Sequence, residues 1–357
     1  MNGHNMRYFL GANTADGFSS LYDGFVSLKD GDFLWIIKGG AGCGKSSFMK
    51  MIGAAAERAG QNVEYAHCSG DPDSLDGVYI PALKTAYVDG TAPHTADTNL
   101  TAADSAYVNL GRYYDISAIS EHSDKLRELK EANSKCYARA YALLAAAGAV
   151  RRGGLLSEAG TDEHSAAQNR VKGIINRELG KKRGGGGKIT RRFLSVYTCK
   201  GNVAFPETAG RFCGRFCLLE SQMGTGPQAL LTAADECVRA GCSIVLCPDP
   251  LTPEVPEAVL IPSSSLCLTC NPLLIPGGAD YRRINLDSKT NTVRLRQARP
   301  KIRRYEKLAA QLLGEAVLAL ADTKRLHDEM EQLYNPCVDF DGVYSEVAQH
   351  LSQLELK

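Results

Sequence analysis

A lysine and a serine stand at the end of a glycine-rich stretch in the first fifty residues of the chain. The stretch fits the pattern G-x-x-x-x-G-K-[ST], in which glycines let the backbone bend so that its N–H groups point at phosphate oxygens. In this pattern Lys45 reaches the β- and γ-phosphates, and the hydroxyl of Ser46 is a ligand for Mg²⁺. We therefore predict that a nucleoside triphosphate contacts these residues: Gly39, Gly40, Ala41, Gly42, Cys43, Gly44, Lys45, Ser46 and Ser47.

The segments on both sides of this loop have the types that the pattern requires. Residues 33–37 form an apolar run typical of a buried strand, and residues 45–58 are predicted to form an amphipathic helix. A helix N-terminus adds a favourable dipole for an anion. The alternative is a glycine-rich turn that contains Lys-Ser by coincidence, and the correct flanks argue against it.

Asp89 is the candidate for the second Mg²⁺ ligand. It ends the extended segment Lys-Thr-Ala-Tyr-Val, which is typical of a strand whose terminal carboxylate holds the metal together with Ser46. The alternative is an ordinary turn aspartate, since Gly90 follows it. The predicted metal ligands are thus Ser46 and Asp89.

An acidic segment, residues 67–77, follows the second predicted strand and therefore lies at the edge of the sheet where ligands bind in open α/β folds. Asp71, Asp73 and Asp76 are candidates for positioning Mg²⁺, activating water or recognising a second substrate. Asp, Ser, Pro and Gly are equally the usual residues of turns. His94 is either a contact for the γ-phosphate or a surface histidine in a loop.

The second half of the chain repeats the first. Residues 7–17 and 191–201 share Arg, Phe, Leu, Thr and Gly at the same spacing, and Arg-Ala-Gly occurs at both 58–60 and 239–241. The repeat length is that of a domain, so the chain is predicted to be an internal duplication. The loop at 39–46 then aligns with 221–228, where Pro227 falls opposite Lys45, Gln228 opposite Ser46, and Cys270 opposite Asp89. The second half is therefore predicted to have lost its nucleotide site.

Strands that alternate with helices predict an α/β fold with two tandem P-loop NTPase-like three-layer domains and mainly parallel sheets. The predicted boundaries are 1–183 for the first domain, 184–190 for a Gly-rich basic linker and 191–357 for the degenerate domain. A helical hairpin should follow each sheet. The predicted hairpin helices are 123–150 with 163–179, and 300–333 with 342–356.

Composition limits the class of protein. A net charge of +1 over 357 residues gives no long-range attraction to nucleic acid or to a membrane. There is no apolar run of about 18 residues, and the N-terminus lacks the apolar core of a signal peptide, so a cytoplasmic protein is expected. Cys267 and Cys270 form a C-x-x-C pair, but residues three apart on a strand face opposite sides, which disfavours a metal site.

The loop and the Asp89 strand resemble those of the P-loop NTPase superfamily. More narrowly, residues 38–46, 73–77 and 88–94 resemble a bacterial, Firmicutes-type group of duplicated P-loop ATP-binding proteins, and the similarity extends over essentially the whole chain. The resemblance implies ATP binding. Members of that group often carry a recognisable second P-loop, from which Pro227 and Gln228 depart.

We predict a slow Mg²⁺-dependent ATPase with its active site in the first half. No N-K-x-D motif supports guanine specificity, and Asp89 is followed by glycine instead of the glutamate that activates water in many fast ATPases. Lys45, Asp89, Asp71 and Asp73 are the candidate catalytic residues, with Mg²⁺ and ATP as ligands. The alternatives are a small-molecule kinase and a non-enzymatic switch that binds a protein partner through its hairpins. Arg211 or Arg215 of the second half is a candidate for stabilising transition-state charge.

Overall fold

The first half folds around a six-stranded sheet. The computed structural model describes residues 5–91, 100, 102–155, 158–180 and 186–354. In sheet order the strands are β1-β5-β6-β7-β4-β8, and all are parallel to their neighbours except β6. The strands of this half are β1 (Met6–Phe9), β2 (Gly11–Thr14), β3 (Gly17–Ser20), β4 (Phe33–Lys38), β5 (Glu64–His67), β6 (Leu75–Ile80), β7 (Thr85–Asp89) and β8 (Ser105–Asn109). Its helices are α1 (Lys45–Arg58), α2 (Ile116–Glu121), α3 (Ser123–Val150) and α4 (Thr161–Leu179).

The second half reproduces this sheet strand by strand, in the order β9-β13-β14-β15-β12-β16, with β14 as the antiparallel strand. Its strands are β9 (Ile189–Arg191), β10 (Ser195–Thr198), β11 (Gly201–Ala204), β12 (Arg215–Glu220), β13 (Ile244–Pro248), β14 (Pro256–Ile261), β15 (Leu266–Thr269) and β16 (Tyr281–Asn285). Its helices are α5 (Pro206–Phe212), α6 (Gly226–Arg239), α7 (Thr292–Tyr334) and α8 (Phe340–Gln353). Even a strained position recurs, since Lys84 and Ser265 have φ of 49° and 50°. The prediction of two tandem α/β domains is confirmed.

The helices that follow each sheet cover the sheet of the other half. Val171 and Ile175 of α4 pack with α6 on one face of the second sheet, although α4 belongs to the first half. Val343 and Val347 of α8 pack with α1 on one face of the first sheet. Each half therefore completes the hydrophobic core of the other. The prediction that the helices after each sheet form a hairpin within their own half is wrong. Instead α3 pairs along α7, while α4 and α8 each pack on the sheet of the other half.

The remaining faces of the two sheets share one core. Ile36 and Val88 of the first sheet belong to the same cluster of buried side chains as Phe216 and Leu260 of the second. The segment 21–26 and helix α5 also contribute to this cluster. Alternation along β4 sends Ile36 into the shared core and Ile37 towards α1 and α8.

The two longest helices, α3 and α7, lie antiparallel along each other. Leu144 packs near Ala316, Ala140 near Ala319, and the Asn133 amide donates to the carbonyl oxygen of Thr323 at 2.8 Å. Alanine at these positions lets the two backbones approach closely. No helix in the described part of the chain has the length and hydropathy needed to cross a bilayer.

The exchange predicts that a substitution in α8 destabilises the first sheet. Val347 is 3% exposed, and Val347→Ala removes two methyl groups from the core under β4, which should lower the free energy of unfolding by roughly 2 kcal/mol. The single tryptophan, Trp35 on β4, reports this unfolding, since its ring lies 4.6 Å from that of His350 on α8. Tyr344→Ala on the exposed side of α8 is the control and should change stability by about 0.5 kcal/mol at most. Equal stability of Val347→Ala and the native chain, followed by Trp35 fluorescence in urea, would contradict the exchange.

Candidate functional site

The predicted phosphate-binding loop lies between the end of β4 and the start of α1, at the edge where the parallel strands of the first sheet end. Gly42 and Gly44 have φ of 70° and 87°, in the left-handed region that favours glycine. A side chain at Gly39 would place its Cβ 2.4 Å from Sγ of Cys43. The Cys43 thiol donates to the carbonyl oxygen of Gly40 at 3.3 Å, and burial raises its pKa, which keeps it a neutral donor. These contacts require glycine at three positions of the loop.

Lys45 folds back over this loop. Its ammonium donates to the carbonyl oxygens of Gly39 at 2.9 Å and Gly40 at 2.8 Å. It also lies 3.6 Å from Oδ2 of Asp89, at the end of the neighbouring strand β7. The pairing of β4 with β7 brings the two charges together across 44 residues of chain. The sequence predicted both residues, and the structure brings them into contact.

Ser46 and Asp89 are the residues that would hold a magnesium ion. The Ser46 hydroxyl accepts from the N–H of Leu75 at 3.0 Å. Asp89 accepts from the N–H and the hydroxyl of Thr91 through Oδ1, while its other oxygen faces Lys45. Hydroxyl and carboxylate oxygens at the edge of one sheet are the hard ligands that Mg²⁺ prefers, so the donor set fits this ion. Ser47 is exposed on the first turn of α1.

The acidic segment makes ion pairs with the second half. Asp71 lies 3.5 Å from Nζ of Lys324 on α7, and Asp73 forms an ion pair with Lys200 in the β10–β11 turn. The carboxylate of Asp71 also accepts from Ser74 and from the N–H of Asp73. Lys200 lowers the pKa of Asp73 by hydrogen bonding to it. Two of the three candidate catalytic aspartates, Asp71 and Asp73, are therefore held by lysines from the other half of the chain.

His67 and Asp76 of the same segment are buried and fully bonded. Arg7 donates to Nε2 of His67 at 3.1 Å, so Nδ1 carries the proton and donates to the carbonyl oxygen of Pro72 at 2.7 Å. Burial above all lowers the pKa of His67 to about 4, which keeps the ring neutral. Asp76 accepts from the hydroxyl of Tyr22 at 2.9 Å. These two residues stabilise the fold of the segment, and His94 lies outside the described residues.

The C-terminal end of α7 covers the outer side of the loop, which the sequence did not indicate. The Asn335 amide donates to the carbonyl oxygens of Gly42 at 3.0 Å and Glu331 at 3.2 Å. The pKa of Glu331 is lowered first by a hydrogen bond from His327 and also by the N–H of Gly42. From the first half, the Tyr114 hydroxyl donates to the carbonyl oxygen of Ala41 at 2.7 Å. The loop is enclosed by both halves.

A cavity of about 350 Å³ adjoins this loop. It lies where the segment joining α7 and α8 pairs with the first half. There the N–H of Asp115 donates to the carbonyl oxygen of Cys337, and the N–H of Asp339 donates to the carbonyl oxygen of Tyr113, both at 2.8 Å. The cavity is shallow and open to solvent, and it is connected to the loop through Tyr114, which bonds the loop and is among the lining residues.

The loop of the second half is one residue shorter, which corrects the alignment made from sequence. Five residues separate β12 from α6, whereas six separate β4 from α1. The buried faces of the two helices match only when Lys45 is placed opposite Gly226, and Ser46 then falls opposite Pro227. A Cβ at Gly226 would lie 2.5 Å from Sγ of Cys270, the counterpart of Asp89. A glycine–cysteine contact thus replaces the lysine–aspartate pair.

The backbone of this shorter loop is bonded to a carboxylate of the chain itself. Asp287, which is buried, accepts from the N–H of Gln222 at 2.6 Å and from the hydroxyl of Ser221 at 2.8 Å. Ser221 in turn accepts from the N–H of Thr225 at 3.1 Å. Donors that would face a phosphate are therefore used internally, and the loop has no ammonium in place of Lys45.

The second half has a polar cavity of about 210 Å³ at the equivalent sheet edge. Glu257, the counterpart of Asp76, accepts from Ser195 at 2.9 Å and from the amide of Asn271 at 2.7 Å. Burial first, and then the charge of Asp249, raise the pKa of Glu257 to about 8. Asp249 itself is paired with Arg151 at 2.7 Å.

The arginine donors proposed from sequence lie elsewhere. Arg215 begins β12 and bonds Glu178 at 2.7 Å and the carbonyl oxygen of Ser264 at 2.8 Å, at the opposite edge of the second sheet. Arg211 lies on α5, which packs against β1 and β14. The second-half cations beside the first-half site are instead Lys200 and Lys324.

Comparisons with family models, with curated proteins and with solved structures found no match to this chain. The interpretation of the site accordingly depends on its geometry.

The raised pKa of Glu257 predicts a pH-dependent stability. Between its ordinary pKa of 4.5 and about 8, the unfolded chain releases this proton and the folded chain keeps it. Stability is therefore lost as pH rises through this window, by up to about 1.4 kcal/mol for each pH unit from this group. Glu257→Gln keeps a neutral side chain of the same shape, so its stability relative to the native chain should increase from pH 4.5 to 8 and level off above.

Urea denaturation at several pH values measures this difference. Glu207→Gln, on the exposed surface of the same half, is the control and should give a difference that does not depend on pH in this window. A pH-independent difference for Glu257→Gln would mean that the carboxyl group is ionised in the folded protein.

Proposed function

We propose that the chain binds Mg–ATP at the first-half loop and hydrolyses it slowly. The observation that carries this proposal is the contact of Lys45 with both the loop carbonyls and Asp89, at the N-terminus of α1. A lysine held in this way needs only to change hydrogen-bond acceptors in order to reach phosphate oxygens. The dipole of α1 and the loop N–H groups favour the same anion.

Each residue would have a separate role. Lys45 would bind the β- and γ-phosphate oxygens, and Ser46 and Asp89 would hold the metal. When bound, Mg²⁺ would supply charge neutralisation at those oxygens. Hydrolysis joins a water oxygen to the γ-phosphorus and breaks the bond to the bridging oxygen of ADP, and the protons of the water end on the phosphate product and the solvent.

The ion pairs of Asp71 and Asp73 favour a role in docking the second half at the site. The hydrogen bond from Lys200 lowers the pKa of Asp73, which makes this carboxylate a weaker base than a free one. This agrees with slow turnover. Lys324 and Lys200 bring positive charge from the second half to Asp71 and Asp73. An arginine of the second half was predicted for this role.

The kinase alternative has less support than hydrolysis, because the acids that would orient an acceptor hydroxyl are paired with lysines. The switch alternative has one observation in its favour. The end of α7 contacts the loop at Gly42, and α7 is paired along α3 over much of its length. A change in the loop on nucleotide binding would therefore act directly on the longest helix of the chain.

The proposal predicts that Lys45→Ala weakens Mg–ATP binding by about 10- to 100-fold, since a hydrogen bond to a charged group contributes about 1.5–3 kcal/mol. Isothermal titration calorimetry measures the affinity, which we expect to be micromolar for the native chain. Phosphate release should fall with binding.

Two variants serve as controls. Lys29→Ala removes one exposed positive charge outside the loop, and Pro227→Ala changes the degenerate loop; neither should alter ATP affinity. Full-affinity binding by Lys45→Ala, with the controls behaving as expected, would show that the first-half loop is not the nucleotide site.

A further inference from the structure

The positive charge of the chain is concentrated in residues 282–307, from the edge strand β16 into the first third of α7. This stretch has ten of the 41 Lys and Arg residues but two of the 40 Asp and Glu residues. One of the two acids, Asp287, is buried and bonds the degenerate loop. The net charge of +1 therefore conceals a strongly basic surface.

Three contacts hold this part of α7 in place on its own protein. Arg294 pairs with Glu163 of α4 at 3.0 Å, and Lys301 pairs with Glu158. Arg299 donates to the side chain of Gln222 at 2.9 Å. The position of the helix is therefore fixed by a subset of its basic residues.

The remaining basic residues of this helix form one face. Arg296, Arg303 and Lys307 are separated by seven and four residues, which places them on one stripe about 16 Å long, and Arg304 lies beside it. All four are exposed and bond no other described side chain. We call these four residues the basic face of α7. On β16, Arg282 extends the positive charge towards the edge of the second sheet, whereas Arg283 is paired with Glu220 at 3.5 Å.

The side of α7 opposite the basic face is already buried. Ala298 and Ile302 pack on Met223 of the second half, and Ala309 is 7% exposed. A membrane-surface helix inserts a broad apolar face among lipids, whereas the exposed large apolar side chains on this part of α7 are the separated Val293 and Leu308. A nucleic-acid backbone needs only regularly spaced cations, with no apolar contact.

We propose that the basic face of α7 binds the phosphate backbone of a nucleic acid. The contacts are electrostatic and independent of sequence, because four Arg and Lys side chains on one side of a helix match a row of phosphates and not a set of base edges. The proposal does not depend on nucleotide binding at the first-half loop. It differs from the expectation based on net charge because binding depends on the local distribution of charge.

Fluorescence anisotropy with a labelled 30-base-pair DNA duplex, and with one of its single strands, tests the proposal on the full chain. We expect the logarithm of the association constant to fall linearly with the logarithm of the salt concentration, with a slope of about −3 to −5. A variant with Arg296, Arg303, Arg304 and Lys307 all changed to Gln should lose at least about tenfold in affinity at low salt and most of that slope.

A second quadruple variant is the matched control. It changes four exposed basic residues elsewhere to Gln, with the same change in net charge: Lys29, Arg58, Lys130 and Lys188. It should bind nearly as the native chain does. Unchanged thermal unfolding of both variants excludes loss of the fold.

Four outcomes would overturn the proposal. Three concern DNA: no binding to either form at low salt, equal loss of affinity in the two quadruple variants, and retention of the native slope by the basic-face variant. The fourth is that the chain binds phosphatidylserine-containing vesicles, measured in parallel, and not DNA.

Discussion

Each of the two sheets has two apolar faces, and neither outer face is covered by helices of its own half alone. Helix α1 covers the outer face of the first sheet together with α8 from the second half, and α6 covers that of the second sheet together with α4 from the first. The inner faces join in one shared core. Burial of apolar surface is the main favourable term in folding, so this reciprocal covering couples the stability of the two halves. It also brings a helix of the second half to the loop at the start of α1.

The two equivalent sheet edges differ in the residues that meet there. In the first half, a lysine and an aspartate meet where β4 and β7 end. At the equivalent point of the second half, Gly226 meets Cys270, and the carboxylate of Asp287 accepts from the N–H of Gln222 and the hydroxyl of Ser221. The first-half loop also contacts a carboxylate of the chain, since the N–H of Gly42 bonds Glu331 and the carbonyl oxygen of Gly42 accepts from the amide of Asn335. The end of α7 therefore contributes to the surroundings of this loop.

The sequence was sufficient for features that depend on local spacing. The loop, its flanking strand and helix, Asp89 and the duplication all follow from residues close together in the chain or repeated in the same order. Strand β6 was missed because Asp76 and Gly77 made it resemble a turn. The offset between the two loops was also wrong by one residue, because a deletion inside a glycine-rich segment leaves little sequence signal.

Contacts between distant segments were beyond prediction from sequence. Nothing in the amphipathic pattern of α4 or α8 says which sheet the apolar side covers, since one helix stripe fits either sheet. The roles of Lys200, Lys324 and Asn335 depend on that choice. The basic face of α7 was not predicted for a different reason. The net charge of the whole chain is near zero, and this sum does not show where basic residues are concentrated.

The most direct measurement of the central claim is hydrogen–deuterium exchange followed by mass spectrometry, with and without saturating Mg–ATP. If a single nucleotide site lies at the first-half loop and is covered by the end of α7, exchange should become slower at residues 39–46 and at 331–335 and should not change at 221–225. Protection of 221–225, or protection of 39–46 with no effect at 331–335, would contradict this claim.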